Sequence, residues 1–480
     1  MNQYELYLHG SWTPPVGNQY LDVLNPSDGE LLARVPRAQA ADADQAVKSA
    51  RQGFQQWNEL GGVGRSQILA EVARILRSRV EDLAEKECDD CGCGLDFARY
   101  TVTGVAARRL EFFAGLADKI QGTTIPMQGN HFDYTLREPF GVTLHIAPWN
   151  GPLWTTSRSI VPALAAGNSV VLKPAEQALI SMLELAQICT QAGMPDGTFN
   201  VVPGLGHEVG SDLAQHPDVD LISFTGSVET GRKVMAQAAQ GIKPVILELG
   251  GKSPNIVFED ADLEAAAAGV TLGIFSGAGQ ICVAGSRLLV QESVRSQLLE
   301  LILARVKKLR VGPARTSPEM GPLITQSHLE RVLEFVDIGN QEGARLVAGG
   351  CRLEGEDLKQ GYYMAPTVFD DVDNRMRIAQ EEIFGPVLCV ISFRSEEEAV
   401  ALANDSQFGL ASAVWTQNLG RAHRVARALE AGSVYVNRYF SVGVEAPAGG
   451  RKLSGFGRLD GIEGLRQYTQ VKNVTVNLDE

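Results

Sequence analysis

The chain has 480 residues, 44% hydrophobic and 21% charged, a globular balance that excludes disordered and fibrous classes. Such a length exceeds a single hydrophobic core and predicts about two to four domains. A net charge of −14 without a Lys/Arg stripe argues against a nucleic-acid partner, and no apolar run approaches the roughly 20 residues that span a bilayer.

At the N-terminus, Met1-Asn-Gln-Tyr-Glu-Leu-Tyr7 lacks the basic start and apolar centre of a signal peptide. Seven scattered cysteines, an odd number for a disulfide framework, predict a reduced, cytoplasmic protein. Cys88, Cys91 and Cys93 form a CxxCxC cluster with no His or second Cys pair near it in sequence. The cluster reads as small residues closing a helix, and no metal is expected.

Residues 123–137 alternate like a hairpin. Strands are predicted at 142–147, 169–172, 199–202 and 221–224, with helices at 157–166, 179–192 and 228–240. Short apolar strands separated by crossover helices imply a parallel, doubly wound sheet. A second alternating region, 262–415, has amphipathic helices near 294–309 and 327–338 and strands at 345–347, 387–393 and 412–415. It reads as a second α/β domain. Residues 471–478 alternate like a solvent-facing strand; this segment and the hairpin fit neither domain and offer edges that a partner chain would complete.

Four stretches set a polar group beside glycine or proline: Ala147-Pro-Trp-Asn150, Phe224-Thr-Gly-Ser227, Glu248-Leu-Gly-Gly-Lys252 and Gly279-Gln-Ile-Cys282. Asn150 and Gly226 fall just after predicted strands, at the edge where open α/β sheets bind ligands. With Lys173-Pro-Ala-Glu176, Glu382-Ile-Phe-Gly-Pro386 and Ser454-Gly-Phe-Gly-Arg458, these stretches resemble the aldehyde dehydrogenase superfamily. The likeness runs from about Asn25 to Lys472; one such stretch is weak evidence, but seven in the family's order are specific. It implies an α/β fold with a Rossmann-like cofactor domain (1–120 and 141–249), a second α/β catalytic domain (250–448) and a small β oligomerisation element (121–140 and 462–480). NAD is the implied cofactor, a small-molecule aldehyde the implied substrate, and a homodimer or homotetramer the implied assembly.

By the same resemblance Cys282 is the nucleophile, whose thiolate adds to the aldehyde carbonyl to give a thiohemiacetal and then a thioester. Asn150 and the Cys282 backbone N–H are the oxyanion donors. Glu248 is the base that activates the hydrolytic water, and its setting in the apolar run Val245-Ile-Leu-Glu-Leu249 argues against a solvated carboxylate. The family's coenzyme A-acylating members lack this glutamate, so the resemblance favours hydrolysis to a free acid. The usual GxGxxG is missing; Gly226, Ser227 and Gly231 form a GxxxxG that opens a helix, which suits a pyrophosphate or, equally, a capped helix start. Lys173 and Glu176 match the adenosine-ribose positions, and the Glu176 carboxylate favours NAD over NADP. Glu382 matches the residue on the nicotinamide ribose, Phe384 a residue near the nicotinamide, and Trp149 is placed with the cofactor.

Departures from the family pattern bear on the substrate. The usual Pro-Phe-Gly-Gly is Pro447-Ala-Gly-Gly450 here, and Gly151 replaces a common Phe after the oxyanion asparagine, which widens the expected tunnel. Trp154 is expected to line that tunnel. Arg158 replaces a common Trp and recurs in members acting on aromatic aldehydes, semialdehydes and lactaldehyde; a structural salt bridge is its equal alternative. Ser276 stands where semialdehyde enzymes carry a second arginine. The reading is therefore oxidation of an aromatic or medium-sized aldehyde. The alternatives are a semialdehyde or hydroxyaldehyde enzyme, or a non-catalytic binding protein on the same fold.

Overall fold

The computed structural model describes residues 2–440 and 443–479. Its first sheet has eight strands, in the spatial order Gly455–Phe456, Val245–Glu248, Leu221–Thr225, Val142–Ile146, Ser169–Lys173, Phe199–Val201, Leu6–Leu8, Ser11–Thr13. The central five run parallel. Val142–Ile146 comes first of these five in the chain, and its neighbours are the second and the fourth. Chain order therefore reverses between Val142–Ile146 and Leu221–Thr225, and that reversal opens a crevice at the strands' carboxyl ends. Strands such as Ser169–Lys173 are buried throughout, as expected for parallel strands covered on both faces.

The second sheet has seven strands, ordered Arg345–Ala348, Thr367–Asp370, Val387–Phe393, Arg287–Gln291, Pro254–Val257, Ala411–Trp415, Ser433–Val436. All its pairings are parallel except that of Arg345–Ala348, which closes one edge antiparallel to Thr367–Asp370. Each sheet has its own apolar core. The hairpin and the terminal strand, expected as separate edges, pair with each other: Thr469–Asn477 lies antiparallel along His131–Pro139, with Thr124–Ile125 on the far side. Phe132, Leu136, Val471 and Val476 stand exposed there. Among the described residues no helix is long and apolar enough to cross a membrane.

One helix differs usefully from its expectation. Its start was expected at 157, but it spans Pro152–Ala166, with Pro152 in the first turn where its missing N–H costs nothing. The sequence contains no local cap for it; the cap comes from afar. Glu87, on helix Val80–Cys91, accepts the Leu153 N–H (3.0 Å) and the Ser181 hydroxyl. Asp90 from the same helix accepts the Ile180 N–H (2.7 Å) at the start of Ile180–Gln191. Two buried carboxylates thus satisfy orphan donors at two helix N-termini. At the other end of Pro152–Ala166, Trp57 Nε1 and Arg65 Nε donate to the carbonyls of Leu164 (2.8 Å) and Ala165 (3.2 Å). The helix is pinned at both ends. Cys88 and Cys91 lie in the last turn of Val80–Cys91, which Gly92 ends in a left-handed conformation.

Candidate active site

The first sheet presents its polar residues at strand ends. Lys173 and Glu248 are the last residues of their strands, Ala147–Asn150 follow Val142–Ile146, and Gly226 and Ser227 follow Leu221–Thr225. The Gly226 N–H donates to the Glu248 carbonyl (3.0 Å), which joins the turn to the carboxylate-bearing strand. Ser227 caps Val228–Gln240 by accepting the Thr230 N–H (3.2 Å), so the capped-helix reading holds for this residue. Lys173 is buried, with Nζ 3.1 Å from Glu176 Oε2; burial lowers its pKa and Glu176 partly restores it.

The second domain contributes Cys282 from a tight loop after helix Leu263–Phe275, in which Gly277, Ala278 and Gly279 all have positive φ. Gln280 anchors the loop: its Nε2 donates to the Pro322 carbonyl (3.2 Å) and its Oε1 accepts the Ile324 N–H (2.9 Å). Asn150 Nδ2 crosses from the first domain to donate to the Gln280 carbonyl (2.9 Å). That bond sets the Asn150 amide beside the cysteine loop, and its second N–H makes no hydrogen bond among the described residues. Cys282 is half-buried as a residue. Burial pushes its pKa up to about 11, opposed by the Arg158 guanidinium and reinforced by Glu248 and Glu382.

Glu248 is buried, and its Oε1 has no hydrogen-bond partner among the described residues. Burial raises its carboxyl to about 8, against the pull of Arg158 and Arg458 and with a push from Asp460. A buried carboxyl left short of partners is costly unless it has work to do. Gly449, in the stretch that departs from the family pattern, makes room for it: a Cβ there would sit 2.9 Å from Glu248 Oε1.

Glu382 is held by the Gly251 N–H (2.9 Å), and a Cβ on Gly250 would fall 1.9 Å from its Oε2. Burial raises this carboxyl to about 7. Phe384 takes a left-handed backbone (φ 61°), which turns its ring edge-on to Trp149 at 5.5 Å. A cleft of about 260 Å³, open to solvent, runs past Gly251, Ile281, Glu382 and Phe384.

The residues expected to meet substrate share the pinned helix. Gly151 is its N-cap at φ 68°, so the backbone itself favours glycine; an added Cβ would meet Trp154 Cβ in ordinary contact at 3.5 Å. Trp154 stacks on Phe97 (5.7 Å, 10°) beside Tyr100 (6.0 Å). The structure contains the ion pair offered as the alternative for Arg158: Nε donates to Asp460 Oδ2 (3.1 Å). Its two terminal nitrogens make no hydrogen bond among the described residues, and its charge acts on Cys282 and Glu248.

Sequence reasoning missed several neighbours. His328 packs edge-on to Trp149 (5.7 Å), and its Nε2 donates to the Phe384 carbonyl (2.7 Å). Tyr435 and Tyr439 pack against each other at 5.4 Å, and the Tyr439 hydroxyl donates to the Val283 carbonyl (2.8 Å). Arg109 and Asp460 form a buried ion pair at 2.6 Å beneath Arg158. Of these only Asp460 carried a signal, being two residues beyond Ser454-Gly-Phe-Gly-Arg458.

The whole arrangement has close relatives among solved structures. An indole-3-acetaldehyde dehydrogenase complexed with NAD+ is 41% identical, with a TM-score of 0.97, over 100% of this chain and 97% of that one. Betaine aldehyde dehydrogenase from Staphylococcus aureus, in complex with NAD+, is 38% identical at a TM-score of 0.97, over 99% of this chain and 95% of that one. PnpE from Pseudomonas sp. WBC-3 is 41% identical at a TM-score of 0.98, over 100% and 98%. Residues 12–474 match the aldehyde dehydrogenase family, and a match across nearly the whole sequence, on a cleft that brings a cysteine, an asparagine amide and a partnerless carboxyl together, means that the chain belongs to that family.

Proposed function

We propose that the protein oxidises an aromatic or medium-sized aldehyde to its carboxylic acid with NAD, through a covalent adduct on Cys282. The observation that carries this is the meeting of the Cys282 loop with Asn150 and of Cys282 with the buried Glu248. The chain's donor set fits the cofactor. The Lys173 ammonium and Glu176 carboxylate, 3.1 Å apart at a strand end, suit ribose hydroxyls. The N-terminus of Val228–Gln240, at the crevice where strand order reverses, suits a pyrophosphate. Glu382 suits the second ribose, with Phe384 and Trp149 bounding the ring.

The Cys282 thiol releases its proton to solvent, the Arg158 guanidinium favouring the thiolate, and the thiolate adds to the carbonyl carbon. The oxygen that becomes an alkoxide receives the second Asn150 N–H and the Cys282 N–H. NAD, when bound, supplies the hydride acceptor that turns the thiohemiacetal into a thioester. Glu248 then takes a proton from water, which attacks the thioester carbon and releases the acid and the thiol.

The two unengaged Arg158 nitrogens favour an aldehyde with a hydroxyl or carboxylate remote from the carbonyl, which keeps a hydroxyaldehyde or semialdehyde as second reading. The cytoplasm is the proposed location. Assembly as a homodimer or homotetramer is proposed through the exposed apolar side chains of Thr469–Asn477 and His131–Pro139. The test is NADH formation with benzaldehyde, hydroxybenzaldehydes, succinate semialdehyde and hexanal in wild type and Arg158→Ala. Selective loss of the hydroxylated or acidic aldehydes supports the reading; equal loss of all four refutes the substrate role of Arg158.

A further inference from the structure

Asp460 is the residue before the short helix Gly461–Gln467, a position where an aspartate ordinarily caps the helix. Its side chain does not do so. Its backbone stands at φ 60°, ψ 170°, a region that residues other than glycine avoid and that persists only where the surroundings enforce it. The carboxylate turns inward instead. Oδ1 and Oδ2 accept Arg109 Nε (2.6 Å) and Nη2 (3.2 Å), and Oδ2 also accepts Arg158 Nε (3.1 Å). Arg109 is in turn fixed by the Trp154 carbonyl (3.1 Å) and the Ser157 hydroxyl (2.5 Å) on the pinned helix.

We infer that Asp460 is a positioning residue of the substrate site: it grips Arg158 by Nε alone and so directs the two terminal amino groups toward the space before Cys282 and Glu248. Three features support this. Arg109 and Asp460 are 3% and 6% exposed in their side chains, so their pair is a rigid base, whereas Arg158 at 17% reaches out of it. Two arginines on one carboxylate leave one net positive charge, and Arg158 is the member that acts on both Glu248 and Cys282. An Nε contact also leaves a guanidinium its two-pronged outer edge, the edge that binds a carboxylate or a phenolic oxygen. The inference rests on the proposed substrate role of Arg158.

The experiment compares kcat and KM for 4-hydroxybenzaldehyde and hexanal in the full-length enzyme with NAD. The variants are Asp460→Gly, Asp460→Asn, Arg158→Ala and the Asp460→Gly/Arg158→Ala double variant, each checked by thermal melt. Asp460→Gly removes the carboxylate while suiting the left-handed backbone. It and Arg158→Ala are each expected to lower the hydroxybenzaldehyde-to-hexanal ratio of kcat/KM about tenfold, chiefly through KM. The double variant should match Arg158→Ala to within about twofold, because Asp460 acts through Arg158. Asp460→Asn, whose amide oxygen still accepts Arg158 Nε, should lose only about threefold. Equal losses with both aldehydes, or a double variant that multiplies the single losses, would overturn the inference. If Arg158→Ala collapses the ratio and Asp460→Gly does not, Asp460 alone is excluded. If Arg158→Ala leaves the ratio intact, the substrate reading of Arg158 fails and takes this inference with it. Should Asp460→Gly not fold, a ratio in Asp460→Asn within about a tenth of wild type overturns it instead.

Discussion

The partnerless Glu248 carboxyl makes a quantitative demand on pH. With its midpoint raised to about 8 by burial, it is largely protonated at neutral pH. The carboxylate is the active form, so deacylation must rise with pH: from about a tenth of its limit at pH 7 to about half at pH 8 and nine-tenths at pH 9. The rate of thioester hydrolysis, measured by rapid mixing after a single NADH burst, should climb about fivefold between pH 7 and 8 and less than about twofold between 8 and 9. Arg458 and Arg158 both hold this midpoint down. Arg458→Gln should therefore move the rising limb to higher pH. Glu248→Gln should keep the burst but flatten and slow the steady state. Hydrolysis that is flat from pH 7 to 9, or a limb near the ordinary carboxylate value, would refute the raised midpoint, and an undiminished steady state in Glu248→Gln would refute the assignment of Glu248 as base.

Cys282→Ala should abolish NADH formation with every aldehyde while NAD binding, followed by calorimetry, stays nearly intact; retention of even about a tenth of turnover would exclude it as nucleophile. Wild type should prefer NAD over NADP, with Glu176→Gln narrowing the gap, and equal kcat/KM for both cofactors in wild type would contradict the ribose assignment. Gly449→Ala should slow hydrolysis more than acylation, since its Cβ would sit 2.9 Å from both Glu248 Oε1 and Arg458 Nη1 and 2.6 Å from the Gly457 carbonyl, and a normal deacylation rate in rapid mixing would show that the carboxyl does not depend on that gap. Glu87 is buried and raised to about 7 from 4.5, so the folded state binds its proton more tightly than the unfolded chain and stability falls as pH rises from about 4.5 through 7. Glu87→Gln should remove that slope, on the order of 3 kcal/mol, from urea melts taken between pH 5 and 8; an unchanged slope would show that Glu87 is not its source.

How much of this was legible depended on the range of the physics involved. Four of the first sheet's parallel strands could be read because parallel strands buried on both faces leave continuous apolar runs, and 387–393 was placed to the residue for the same reason, whereas Val245–Glu248 and the three antiparallel edge strands were not called. The proposed catalytic trio was found through motif order, not through periodicity. What could not be read is long-range. The start of Pro152–Ala166 is marked locally only by Gly151 and Pro152, and the acceptor of its Leu153 N–H is Glu87, 66 positions away. Arg158 stayed ambiguous because its partner Asp460 is 302 positions distant. Aromatic neighbours such as His328 and Tyr439 carry no local pattern; tertiary packing alone brings them to the cleft.

The same distance argument explains why the site tolerates so much unfavourable electrostatics. Glu248, Glu382 and the Cys282 thiol are each pushed toward their neutral forms by burial, and none is relieved by a full salt bridge. Isolated groups of this kind would collapse onto one another or onto backbone donors. Glu382 accepts the Gly251 N–H, but Glu248 and Cys282 stay apart because each is mounted on an element fixed from elsewhere. Glu248 ends a strand clamped on both edges by Leu221–Thr225 and Gly455–Phe456. Cys282 sits on a loop bolted down by Gln280. The helix bearing Arg158 is capped at one end by Glu87 and at the other by Trp57 and Arg65. Rigidity supplied by the scaffold is what allows these buried groups to remain without ion-pair partners, and groups held ready in this way are what a nucleophile, a base and an oxyanion site require before the substrate arrives.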